Sequence, residues 1–135
     1  MSILDTVELF NSLNDTDRDT LSLYCQERLL LTEEILFHEW DDAVALYIVK
    51  SGSLKAYKER SDWEVILWYI TANELAGEMA FFDASSAKKR MASIRAVEDT
   101  LVLVIMDYAI LELSKKHPEM YEKIVNIMIE RKKNS

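Results

Sequence analysis

Cysteine, proline and glycine are all scarce in this chain of 135 residues, which holds one cysteine, one proline and two glycines. A lone Cys25 excludes an intrachain disulfide and any multi-cysteine metal site. Beside Tyr24 and Leu29 it reads as a small buried hydrophobe rather than a reactive thiol. The two histidines, His38 and His117, have no partner at metal-ligand spacing, and His117, just ahead of Pro118, is expected in a surface or capping role. No basic region followed by an apolar run opens the sequence, and no stretch is long enough to span a bilayer, so a cytoplasmic home without membrane contact is expected. Excess positive charge is missing too. A formal net charge of -8 opposes non-specific contact with nucleic acid or anionic lipid, while leaving room for one basic cleft. Ser85 and Ser86 lack the surroundings of an activated nucleophile, and no Walker-type loop or metal-ligand set is present. The expectation is therefore a protein that is not an enzyme and carries no cofactor.

What is present suits one packed domain, since half of the residues are hydrophobic and 30% are charged. Val7 to Phe10 suggests a short helical turn. Asn14 and Asp15 cap a helix in which Leu21, Tyr24, Cys25 and Leu29 follow at helical spacing. The period then changes. Ile35 to Phe37, Ala45 to Ser51, Leu54 to Lys58, Val65 to Ile70, Met91 to Ala96 and Thr100 to Met106 read as strands, and the all-apolar run at Val65 reads as one buried on both faces. Strands this short and close pair antiparallel, because parallel crossovers need a dozen or more residues. A β-sandwich or roll follows, mainly β within an α+β class. Tyr108 to Lys116 forms a helix. A second begins at Pro118 and carries an apolar stripe of Tyr121, Ile124, Val125, Met128 and Ile129. That stripe suits intrachain packing or a homodimer seam through the C-terminal helix, and Arg131 to Lys133 suits a helix end that complements the dipole.

The segment with the most chemistry is Ala76-Gly77-Glu78-Met79-Ala80-Phe81-Phe82, followed by Lys88-Lys89-Arg90-Met91-Ala92-Ser93-Ile94-Arg95-Ala96. Gly77 precedes a short helical signal, where free backbone N–H groups can face an anion. Glu78 is an acceptor for a sugar hydroxyl, and Arg90 has the planar fork that suits a phosphate. These two runs resemble the phosphate-binding cassette of cyclic-nucleotide-binding domains, the domains of catabolite-activator regulators and cyclic-nucleotide-dependent kinases. Leu46 to Leu54 is similar to that family's strand–glycine–strand hairpin, and Arg95 to Thr100 to the stretch after its cassette.

The resemblance covers roughly residues 7 to 130 and implies one domain over 1–135. Its antiparallel β-roll (a jelly-roll-like double sheet) lies at about 29–107, with N-terminal helices, a short cassette helix and two C-terminal helices at about 108–133. It implies a ligand, cyclic AMP or cyclic GMP. Glu78 would take the ribose hydroxyl, Arg90 the cyclic phosphate, Gly77 and the amides near Ala80 the anion nest, and Ser93 the start of the strand floor, with Met79 and Met91 in the same ligand-binding set. The sequence departs from the pattern in places. Eleven residues separate Glu78 from Arg90, Lys89 stands where a proline is common, and Met91 stands where a small residue is common. The early hairpin has Thr32-Glu33-Glu34 and His38-Glu39-Trp40-Asp41 in place of glycines.

Two functions follow as alternatives. One is a nucleotide sensor that signals through an unidentified partner protein or a dimer. The other is a scaffold whose pocket no longer binds, with Glu78 and Arg90 paired to each other or to solvent. The long loop from Asp83 to Lys88 also allows a different placement of Arg90, or Lys88 or Lys89 in its stead. The acidic charge and the end of the sequence at Ser135 argue against DNA as a partner.

Overall fold

The computed structural model describes residues 4–134. A short 3-10 turn at Glu8–Phe10 leads to α1 (Asp15–Ser22), and Asn14 caps α1 by accepting the Asp17 N–H at 2.7 Å. Eight strands follow: β1 (Cys25–Leu30), β2 (Ile35–Phe37), β3 (Ala45–Ser51), β4 (Leu54–Arg60), β5 (Trp63–Ile70), β6 (Leu75–Ala76), β7 (Ser93–Ala96) and β8 (Thr100–Met106). Between β6 and β7 lie α2 (Met79–Phe82) and a 3-10 turn at Ala84–Ser86, and α3 (Asp107–Lys116) and α4 (Pro118–Lys132) close the order. The strands form two four-stranded sheets, β1-β8-β3-β6 and β2-β7-β4-β5, with antiparallel pairing throughout. This is the expected roll.

The alternation of side chains along β3 explains why there are two apolar layers. Leu46 and Ile48 face a cluster with Phe10, Leu21, Leu103, Ile110, Met120 and Ile124, which joins the first sheet to the helices. Ala45, Tyr47 and Val49 face the interior of the roll, with Leu54, Ile70, Ile94 and Val102. β3, like its neighbour β8, is thus buried on both faces. The run at Val65 is not: β5 is an edge strand, and Trp63, Val65, Ile66 and Tyr69 are exposed. An apolar run alone did not distinguish an edge from a centre.

Further expectations change. Helical spacing carried the first helix through Leu29, but α1 stops at Ser22 and Cys25 begins a strand paired with Ile105, so the roll starts earlier than about 29. Long-range pairing with β8 overrides a local period here. Cys25 is only half-buried, and desolvation raises its thiol pKa to about 11, consistent with an inert thiol. The apolar stripe of α4 is also rotated. Met120, Ile124 and Met128 are buried, whereas Tyr121 and Ile129 are about half exposed at 48% and 50%. His117 forms no cap bond. Its Nε2 lies 2.7 Å from the Asp17 carboxylate, tying the start of α4 to α1.

The missing glycines of the early hairpin leave their mark on the backbone. Glu33 (φ 70°) and Trp40 (φ 75°) adopt the left-handed region that glycine fills without strain.

Candidate ligand-binding site

The cassette is built from its ends inward. Gly77 has φ 85°, and a Cβ there would sit 2.7 Å from the Arg90 Nη1. Only glycine lets the arginine come this close. Glu78 caps the four-residue α2, its carboxylate accepting the Met79 N–H at 3.1 Å. Asp83 ends α2 and opens the next turn, accepting the Ser85 N–H at 3.0 Å, and the Ser86 hydroxyl donates to the Ala80 carbonyl at 2.9 Å.

The long gap before Arg90 is absorbed by left-handed Ala87 and Lys88 and by a short ladder. The Ala43 N–H donates to Lys88 O at 3.0 Å, the Arg90 N–H to Asp41 O at 2.9 Å, and the Trp40 N–H to Arg90 O at 2.8 Å. This ladder aims Arg90 inward. Lys88 is exposed and Lys89 pairs with Asp42, so neither lysine replaces the arginine.

Arg90 is 3% exposed. Its Nη1 donates to the Gly77 carbonyl at 3.1 Å and its Nη2 to the Ala45 carbonyl at 2.7 Å. The guanidinium carbon lies 4.0 Å from the Phe37 ring centroid and 5.7 Å from those of Tyr47 and Phe81. Among the described residues no carboxylate forms an ion pair with it, and its buried Nε has no hydrogen-bond partner. Burial therefore pulls its pKa below the usual arginine value.

Glu78 is 1% exposed, but its partner is not Arg90. Arg131 of α4 reaches into the site and pairs with the Glu78 carboxylate. Burial pushes the Glu78 carboxyl above its ordinary range, against the opposing pull of Arg131 and the Met79 amide.

The hollow beside Arg90 is lined by Phe37, Trp68, Gly77, Glu78, Met79, Ala80, Arg90, Met91, Ala92 and Ile94, and its free volume is about 20 Å³, room for one water. The expected residues Gly77, Glu78, Met79, Ala80, Arg90 and Met91 thus converge. Ser93 does not line the hollow; its buried hydroxyl accepts the Glu39 N–H at 2.9 Å. The alternatives in which Glu78 and Arg90 pair with each other or face solvent do not hold, since each finds a different buried partner.

Sequence reasoning missed Arg131, Lys132, Phe37 and the lining role of Trp68. The signal for Arg131 was its spacing. It continues the buried series Met120, Ile124, Met128 by one more turn, an odd place for a residue assigned only to a helix end.

A family model described as "Cyclic nucleotide-binding domain" matches residues 27–117. The chain belongs to this family. It is similar to the cyclic AMP receptor protein of Thermus thermophilus, at 30% identity over 124 residues that make up 91% of this chain and 56% of that one. Among solved structures, the catabolite activator protein of Thermus thermophilus gives a TM-score of 0.75 at 28% identity, covering 93% of this chain and 58% of that one. The N-terminal domain of a transcriptional regulator from Streptomyces coelicolor A3(2) gives 0.69 at 26% identity, covering 93% and 86%. These relatives are regulatory proteins.

The chain spans about half the length of the curated relatives it matches. This corrects the expectation that DNA is not a partner. That expectation extended the charge of this cyclic-nucleotide-binding domain to a whole regulator, whereas the relatives include transcriptional regulators of which the matching region is one part. No helix among the described residues is long and apolar enough to cross a membrane, and no group of three or more His, Cys, Asp or Glu residues among them is placed to hold a metal ion.

Proposed function

We propose that this domain is the effector-sensing part of a regulator, and that it takes cyclic AMP or cyclic GMP at the hollow formed by Gly77, Glu78, Met79, Ala80, Arg90 and Met91. The observation that carries this reading is the buried Arg90, which has no carboxylate at ion-pair distance among the described residues. A buried guanidinium matched only by neutral carbonyls and ring faces is costly, and an anion relieves that cost. The site's charges agree: Arg90 is the buried cation left without a carboxylate partner, and it is matched by the single negative charge of a cyclic phosphodiester. Glu78 offers the acceptor for a sugar hydroxyl, and Ser93 supports the floor from behind through Glu39. Similarity to a cyclic AMP receptor protein points the same way. Occupancy would pass to the remainder of a transcriptional regulator, to a partner protein or to a second copy.

A homodimer through the outer face of α4 goes with this reading, because Tyr121 and Ile129 are left half exposed. Ile129→Lys is the substitution that tests it by light scattering; Met128 is buried and would report packing instead.

Isothermal titration with each nucleotide tests the reading. Saturable binding of one nucleotide per chain is expected, and no heat at millimolar concentration of either removes it. A second reading, a scaffold without a ligand, is favoured by one observation: the hollow has room for about one water, and both Arg90 Nη atoms already have acceptors. The same titration separates the two.

A further inference from the structure

We propose that Arg131 and Lys132 latch the cassette shut, and that Arg131 is the group a nucleotide must displace to enter. The inference rests on the reading above and concerns how that site is regulated. α2 lies between two acidic residues, Glu78 at its start and Asp83 at its end. Two consecutive residues at the end of α4 grip both of them: Arg131 pairs with Glu78, and the Lys132 Nζ lies 2.9 Å from the Asp83 carboxylate. Adjacent helical residues diverge by about 100° around the axis, so one helix end spans the whole of α2.

The inner pair is sheltered. The Arg131 side chain is 11% exposed and that of Glu78 2%, so water does not compete for it. One Glu78 oxygen accepts the Met79 N–H and the other faces Arg131, so in this arrangement a sugar hydroxyl competes with groups already on both oxygens. Ligand and Arg131 want the same acceptor.

The surroundings allow Arg131 to leave. Its guanidinium lies 5.7 Å from the ring of Trp68, which lines the hollow. On the other side it borders a cleft of about 630 Å³ between α4 and the segments around Leu9 and Asn73–Leu75. Glu8, Glu74 and Glu130 line that cleft together with Lys123, so a displaced guanidinium meets polar groups rather than a wholly apolar wall. The last turns of α4 are then free to move with it. Ligand entry and release of α4 become one event, because the same carboxylate serves both.

The test uses cyclic AMP and cyclic GMP as probes on the full chain, with two readouts. Amide hydrogen exchange in the last two turns of α4 reports the latch without any ligand, and titration calorimetry reports affinity. The double variant Arg131→Gln, Lys132→Gln is expected to exchange faster there than wild type. It is also expected to bind nucleotide at least ~10-fold tighter, since a larger fraction of molecules is binding-competent. Lys132→Gln alone, which leaves the buried pair intact, should move both readouts in the same direction by less. Unchanged exchange overturns the latch. So does equal or weaker binding with faster exchange, which would make Arg131 a ligand contact or a structural support. Binding of equal affinity by both proteins removes only the latch; absence of binding by both removes the sensor reading and the latch with it.

Discussion

Arg90 and Arg95 leave the same stretch of chain five residues apart and end in opposite electrostatic states. Arg95 lies on the outer side of the roll, where Nη1 and Nη2 each meet a Glu64 oxygen at 2.7 Å and Nε lies 3.3 Å from Glu33. It stacks 4.7 Å from the Tyr57 ring. The Glu64 fork raises its pKa. Arg90 is turned inward, meets only carbonyls and aromatic rings, and its pKa is lowered by burial. Stability alone would choose the first arrangement. A protein that keeps the second holds a positive charge in reserve, and the place to look for a ligand is where the charges fail to close.

The largest effect that would break this comparison is on binding by Arg90→Met. Loss of a buried charge-assisted contact, worth about 2–3 kcal/mol, predicts a drop in nucleotide affinity of roughly 100-fold by calorimetry. The melting temperature should hold or rise, because a buried uncompensated charge is replaced by an apolar chain. A variant that melts far earlier would make Arg90 a structural group.

Gly77→Ala comes next. Its Cβ would meet the Arg90 Nη1 at 2.7 Å and its φ of 85° suits glycine. A stability loss of about 1–2 kcal/mol in urea denaturation is expected, with weakened binding as the guanidinium shifts.

Arg95→Ala should cost about 1 kcal/mol or less, as a partly exposed ion pair does, and leave nucleotide affinity within about twofold. Equal damage to binding from both arginines would erase the contrast.

The site was more legible in the sequence than its present state. Gly77, Glu78 and Arg90 were readable because spacing and residue type decide which groups reach one hollow. That Glu78 is already occupied was not, because its partner Arg131 lies 53 residues away and only packing of α4 brings it in. The fold followed the same division. β3, β4 and β8 were visible from local residue type and, at β4, alternation, while β1 hid inside a helical period and β5 passed for a central strand. Only sheet order distinguishes an edge from a centre.

A pH series sharpens the account of Glu78. A carboxyl whose pKa is raised on folding binds its proton more tightly in the folded state. Its contribution to stability is therefore complete below the ordinary glutamate range and is lost as pH rises through the raised value. The stability of wild type relative to Glu78→Gln should fall over that window, read from denaturation midpoints at matched pH; a difference that grows with pH would mean that Arg131, not burial, governs the carboxyl. The smallest expected effect is at Trp40→Gly, where relief of a φ of 75° should raise stability by about 1 kcal/mol or less.

The most direct measurement of the central claim is the side-chain N–H spectrum of the arginines during titration with cyclic AMP. The Arg90 Nε–H, buried without an acceptor, should shift strongly downfield as phosphate arrives, while the Arg95 signals, whose Nη atoms are bonded to Glu64 and whose Nε has Glu33 at ion-pair distance, stay in place. An Arg90 signal that does not move at saturating ligand, or that moves no more than Arg95, would contradict the account.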